Sequence, residues 1–188
     1  MDRIPIFPLD VVVFPGEVFG LDVFEERYLL MTEEVLAEGL PIGIVLARQD
    51  EPEDVIEHQP ESVGTAVEII SHERVGDRFL LQTVGRRRFV IRRLHATKPY
   101  QEADVEWLDE DTGDPQEARE LAAEVIQRIV SLGGQVDDES AIDDPVTVSH
   151  AVAAALPLDL QTKQALLEAD DARMRLAVEA ELLADAAG

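Results

Sequence analysis

The sequence contains no cysteine, only two lysines and few aromatic residues, 5% of 188. Without cysteine there is no disulfide framework, no thiolate metal site and no thiol nucleophile. No apolar run approaches the roughly 20 residues that cross a bilayer as a helix. The N-terminus, MDRIPIFPLD, lacks the charged, apolar and small-residue order of a signal peptide. A cytoplasmic protein with no membrane contact is the expectation. No lysine follows a glycine, which excludes the phosphate-cradling G-x-x-x-x-G-K loop, and no G-x-G-x-x-G opens a helix after a strand-like run.

Patterns for catalysis or metal binding are equally scarce. HERVG at His72 begins like the zinc motif H-E-x-x-H, but its fifth position is Gly76 and its context is a strand. The four histidines, His58, His72, His95 and His150, show no metal-ligand spacing. Ser149 and His150 are neighbours on a predicted helix, so their side chains diverge by about 100° and do not form a base–nucleophile pair. His150 reads as a satisfied helix histidine. The acids of DDESAIDDP lack the glycine that turns a calcium loop, and Asp144 is better explained as a helix cap. No catalytic residue, cofactor or metal site is expected.

Acidic charge is what the chain has in excess. Sixteen basic residues face forty acidic ones, net −24. Residues 101–188 hold 22 acids and 5 bases. A field of that sign repels phosphate backbones. Against it stands TVGRRRFVIRRL, with Arg86, Arg87, Arg88, Arg92 and Arg93 within eight positions. Alternation after Gly85 puts Arg87, Phe89, Ile91 and Arg93 on one face. Arg86, Arg88, Val90 and Arg92 then fall on the other, and their arginines are expected to project to solvent or to carboxylates. A strand whose cations offset local acid is the simpler reading. Nucleic acid is weighed lower, because single-strand readers add exposed stacking aromatics.

The first half has strand-like runs at IPIFPLDVVVF, VFGLDVF and PIGIVLAR, with a turn at Pro15-Gly16. Phe24, Tyr28, Met31 and Val35 share one face of an inserted helix that Gly39 ends. QDEPEDVIEHQPES reads as an exposed loop. VGTAVEIISHERVGDRFLLQTV reads as a hairpin turning at Gly76-Asp77 in the type II′ geometry, and YQEADVEWL as a further strand. From Asp114-Pro115 the chain turns helical, with further helix starts at Asp144-Pro145, Asp159 and Asp170 or Asp171. QVDDESAIDD between the first two helices is an acidic linker. The expected division is residues 1–112, β-rich, and residues 113–188, about four helices.

IPIFPLDVVVFPGEVFGLDVFEERYLL resembles the N-terminal substrate-binding domain of the ATP-dependent Lon protease family. The matching residues are Pro5, Phe7, Pro8, Leu9, Val12, Phe14, Pro15 and Gly16, then Phe24, Glu25, Arg27 and Tyr28. VGTAVEI, VGRRRFVI and LPLDLQTKQALLE extend the resemblance nearly end to end. It implies an α+β fold: a PUA-like, partly closed β-barrel followed by a C-terminal helical bundle. It makes Phe14, Phe24 and Tyr28 core candidates and Arg27 a partner for Glu25 or Asp22. Neither the phosphate-binding loop nor the serine–lysine pair of full Lon proteases is present. The resemblance therefore implies a stand-alone, non-enzymatic module that binds unfolded or exposed polypeptide segments, as an adaptor or in the manner of Lon substrate capture. A protease or a second copy of the chain is a further candidate partner. Some PUA-like relatives bind RNA, which keeps RNA as the alternative. Arg27, Arg86, Arg88 and Arg92 are the candidate partner-binding residues.

Overall fold

The structure, a computed structural model, describes residues 1–47, 60–134 and 144–186. The acidic loop expected from Gln49 and the linker expected from Gln135 fall largely outside them. Contacts divide the chain into two compact units, Met1–Leu108 and Asp109–Gly188.

The first unit holds β1 (Asp2–Leu9), β2 (Val18–Val23), α1 (Glu26–Glu38), β3 (Ile42–Ala47), β4 (Pro60–Val75), β5 (Arg78–His95) and β6 (Gln101–Trp107). The strand order is β2-β5-β4-β3-β1-β6. β6 also pairs with the distal half of β5, from Phe89↔Trp107 to His95↔Glu102. The sheet thereby bends round into a partly closed barrel, as the α+β expectation has it. β3 is apolar throughout and buried at Ile42–Leu46. The continuous run predicted this, since a strand covered on both faces has no solvent side to mark.

Among the described residues, two packed clusters fill the barrel. Phe7, Leu21, Met31, Ile42, Val67 and Leu81 belong to one; Ile4, Ile6, Val45, Phe89 and Val105 belong to the other. α1 contributes Tyr28, Met31 and Val35, the predicted face, and Gly39 closes it with its N–H on the Val35 carbonyl at 2.8 Å. Phe24 departs from the core expectation. The helix begins at Glu26, so Phe24 precedes the periodic face and is 63% exposed.

The β4–β5 hairpin turns at Gly76-Asp77, with Val75 opposite Arg78. Gly76 has φ +65° and, among the described residues, no non-glycine residue has positive φ. A positive angle at the first turn residue alone is the type II′ signature. Further along, the Pro15-Gly16 turn docks on Gly85. Gly16 N–H reaches the Gly85 carbonyl at 2.8 Å, and Gly85 N–H reaches the Glu17 carbonyl at 2.9 Å. A Cβ at Gly85 would lie 2.2 Å from the Phe14 carbonyl oxygen, so only glycine permits this approach. That docking sets β2 beside β5.

The arginine run does not keep simple alternation. Ala66 faces Arg87 and Val67 faces Gly85, leaving Arg86 as the extra residue of a bulge. Ile91 and Arg93 pair with Val105 and Asp104, leaving Arg92 as the extra residue of a second. Arg86 and Arg87 are both exposed, and Arg88 is 2% exposed. The expectation that Arg88 projects to solvent therefore fails, because the first bulge shifts the register just before it.

The second unit contains α2 (Pro115–Ser131), α3 (Pro145–Ala155), α4 (Leu160–Glu168) and α5 (Ala172–Ala186). The predicted caps form. Asp114 accepts from Gln116 and Glu117 N–H, Asp144 from Val146 N–H, and Asp159 from Thr162 N–H. Asp171 rather than Asp170 serves α5, accepting from Met174 N–H at 2.7 Å. Ala122, Val125, Val148, Val152, Leu176 and Leu183 form the core. No helix among the described residues is long and apolar enough to cross a membrane.

Candidate functional site

Among the described residues, β2 hydrogen-bonds on one side only. Among the described residues its sole strand partner is β5, from Val18↔Val84 to Val23↔Phe79, so its other edge is unpaired. An unpaired strand edge presents a row of free N–H and C=O groups that pair readily with another extended chain. Alternation sends Leu21 and Val23 into the core and Val18, Gly20 and Asp22 outward. Val18 is 62% exposed, close to the exposure of Phe24 just past the strand.

The outer sheet face continues across β5 and β4. Val18, Val84 and Glu68 form one row, and Asp22, Leu80 and Glu73 another. Leu80 and Ile70 are exposed apolar residues on these neighbouring strands. Arg78 pairs with Asp22 at 2.7 Å and lies 6.0 Å from the Phe24 ring centroid. Exposed apolar groups thus lie at the open edge beside the exposed Arg78–Asp22 ion pair. Gly20 sits midway along the edge. A Cβ there would meet nothing within 4 Å, and its φ is not in the left-handed region. Neither internal packing nor conformation requires glycine at this point; a strand glycine of this kind leaves room for another backbone to approach.

Beside the start of α1 lies a groove of about 350 Å³. Phe7, Pro8 and Leu9 of β1 face Arg27 and Tyr28 of α1 across it, with Lys98 and Tyr100 beyond. Residues from the two signature segments thus converge on one surface feature. Phe7 and Tyr28 stack with ring centroids 4.1 Å apart, and Arg27 lies 4.6 Å from the Tyr28 centroid. The Arg27 guanidinium pairs with Glu25 at 2.9 Å, as expected, while Asp22 goes to Arg78. Lys98 donates to Glu34 at 2.6 Å and to Tyr100 at 2.9 Å.

Electrostatics fix the groove's charge states. Hydrogen bonds to Glu34 and Tyr100 raise the Lys98 ammonium above its usual value, and those from Lys98 and Tyr100 lower Glu34. Burial raises both Tyr28 and Tyr100. At neutral pH the lysine stays charged and the tyrosines stay protonated. Among the described residues, no three His, Asp or Glu side chains are grouped to hold a metal ion.

The remaining predicted site residues are dispersed. Arg86 pairs with Glu68 at 2.7 Å across to β4, and Arg92 with Glu106 at 2.8 Å across to β6. Arg88 is inside the barrel unit. Arg87 lies 5.6 Å from the Trp107 ring centroid. Of the five arginines, Arg88 is buried, and Arg86 and Arg92 are held by carboxylates of different neighbouring strands.

Sequence reasoning missed a buried polar cluster in the helical unit. Arg175 is fully enclosed and donates to Ser149 Oγ at 3.0 Å and toward Glu110 at 3.4 Å. His150 Nε2 lies 3.0 Å from Glu110 Oε2, which engages one of its two ring nitrogens. Glu179, one turn beyond Arg175, is also buried, and burial pushes its carboxyl up to about 8. The signal was available: Ala172, Leu176, Ala180 and Leu183 define the buried stripe, and positions 175 and 179 share that face.

The profile of the ATP-dependent protease La (LON) substrate-binding domain matches residues 3–185. Lon protease 2 of Myxococcus xanthus is 28% identical over 96% of this chain, and Lon protease 4 of Sorangium cellulosum 30% identical over 97%. The chain spans about a quarter of these relatives, 23% and 24% of their lengths. Among solved structures, a Lon N-terminal domain protein from Xanthomonas campestris aligns with TM-score 0.72 and 28% identity, covering 98% of both chains. The N-terminal domain of a Mycobacterium avium complex Lon protease aligns with TM-score 0.76 at 20% identity, covering 98% of this chain and 99% of that one, a likeness of fold.

Proposed function

The chain belongs to the ATP-dependent protease La (LON) substrate-binding domain family, and on that premise we propose that it holds extended segments of other polypeptides along the open edge of β2. The observation that carries this reading is the unpaired β2 edge, flanked by exposed Val18 and Phe24 with Gly20 between them. An unfolded segment brings free backbone N–H and C=O groups, and adding it as a strand satisfies both rows without regard to its sequence. Selectivity then comes from side chains that meet Val18, Leu80 and Phe24. A folded protein, whose strands are already paired, offers no such edge. Arg78, paired with Asp22 and 6.0 Å from the Phe24 ring, is the cation beside this edge, and Arg27 on the groove rim and Arg86 on β5 are proposed as further contacts to a bound segment.

Capture of this kind requires no bond to be made or broken in the guest. It suits a cytoplasmic adaptor that presents unfolded chains to a protease. RNA is the alternative occupant, and the paired Arg86 and Arg92 and enclosed Arg88 support it less well than the open apolar edge supports polypeptide.

The test is titration of a reduced and alkylated protein that cannot refold, against the wild type and the variants Val18→Asp and Phe24→Asp. Saturable binding, weakened at least tenfold by either change, is expected. No saturable binding, or binding indifferent to both variants, contradicts the proposal. Binding of single-stranded RNA at low salt, lost in Arg86→Gln and Arg92→Gln, replaces it with the nucleic-acid reading.

A further inference from the structure

The helical unit carries an apolar hollow of its own. It lies between α4 and α5 and measures about 340 Å³, the small end of the roughly 300–1,000 Å³ typical of ligand sites. Ala165 and Ala169 of the α4 side face Met174 and Val178 of α5, with Leu166 at the base. α5 packs on α2 and α3 through its buried stripe of Leu176, Ala180 and Leu183. Met174 and Val178 lie off that stripe, four residues apart, and are 42% and 43% exposed.

The charges at the opening are of one sign. Glu168 and Asp170 are exposed on its rim. Arg175 also lines the hollow, but its guanidinium is enclosed and directed to Ser149, Glu110 and the Ala169 carbonyl. Residues 109–188 carry 19 acids and 5 bases, net −14. A guest must therefore place apolar side chains between Met174 and Val178 while tolerating a strongly negative surround. Acidic guests are repelled, and neutral ones gain only the small apolar contact. A segment with lysines or arginines beside its apolar residues gains both.

We infer that the α4–α5 hollow is a second docking point, for a cationic amphipathic segment of a client polypeptide. One or two large apolar side chains seat between Met174 and Val178, and flanking cations meet Glu168 and Asp170. The kind of partner rests on the polypeptide-binding proposal; the place does not, since it shares no residue with the β2 edge. The two sites divide the labour: β2 takes any extended backbone, and the hollow selects for cations beside apolar residues.

The experiment uses the full chain and a dye-labelled 15-residue peptide with leucine at every third or fourth position and lysine between. A second peptide replaces each lysine by glutamate. Fluorescence anisotropy is expected to show saturable binding of the lysine peptide that weakens as salt rises, and none of the glutamate peptide. Val178→Asp weakens the lysine peptide at least tenfold. Glu168→Lys with Asp170→Lys does the same and gives the glutamate peptide measurable affinity. Phe24→Asp leaves both unchanged. If Val178→Asp alters folding by circular dichroism, Ala165→Trp fills the hollow from an exposed position and serves in its place. Loss on charge reversal without loss in Val178→Asp or Ala165→Trp is non-specific attraction and overturns the inference. Loss on Phe24→Asp alone places the peptide at β2, overturning this inference while the polypeptide-binding proposal stands. Failure of the unfolded protein to bind, with the lysine peptide still held at the hollow, removes the β2 proposal and leaves this one.

Discussion

Replacing Glu179 by glutamine is expected to change how the protein's stability depends on pH. Glu179 lies on the buried stripe of α5, and neither of its carboxyl oxygens has a hydrogen-bond partner. Burial raises its pKa from the ordinary 4.5 to about 8, with Arg175 one turn earlier pulling the other way. The folded chain thus holds this proton more tightly than the unfolded chain. Its stabilising effect is complete below the unfolded value of 4.5 and is lost as pH rises through the folded value near 8. At about 1.36 kcal/mol per pH unit the full loss is roughly 5 kcal/mol. About 2 kcal/mol of that is gone by pH 6, and roughly 2–3 kcal/mol more goes between pH 6 and pH 9. Glutamine keeps the shape and does not titrate, so the other ionising groups are common to both proteins. Urea unfolding at pH 6 and pH 9 measures the difference. The wild type should lose roughly 2–3 kcal/mol more than Glu179→Gln across that interval. Equal losses would refute the reasoning, because they would mean that Glu179 ionises alike in both states.

Other consequences are equally direct. Gly85→Ala drives a methyl group into the Phe14 carbonyl and should cost about 2 kcal/mol, read as a lower urea midpoint. Asp114→Ala removes the acceptor for two N–H groups at the start of α2 and should cost about 1 kcal/mol in the same assay. Arg27→Ala breaks an exposed ion pair with Glu25 and a cation–π contact with Tyr28, so thermal stability should change little while affinity for an unfolded polypeptide falls severalfold. A Cβ at Gly20 meets no neighbour, so Gly20→Val should leave the fold intact, yet weaken polypeptide binding in a titration by crowding the β2 edge.

Local chemistry made much of the fold legible. Gly76-Asp77 fixed the hairpin, and aspartates at 114, 144 and 159 announced three helix starts, because turns and caps depend on a few adjacent residues. What escaped depends on distant pairing. Alternation counted from Gly85 assumes an unbroken ladder, and the bulges at Arg86 and Arg92 arise from how β4 and β6 register against β5. Arg88 went inside for that reason. Phe24 looked like a helix residue by spacing, but the helix starts two residues later and leaves it on the surface. The open edge of β2 was not legible either, since whether a strand is central or peripheral follows from the order of the whole sheet. Arg175 and Glu179 were concealed by their charge, although the apolar positions around them already marked that helix face as buried.

Amide hydrogen exchange of the full chain, with and without a permanently unfolded polypeptide, tests the β2 assignment most directly. The account predicts slowed exchange at the outward-facing amides of Val18–Val23, with the far strand β1 unchanged. Binding that leaves β2 exchange untouched while protecting amides elsewhere would contradict it.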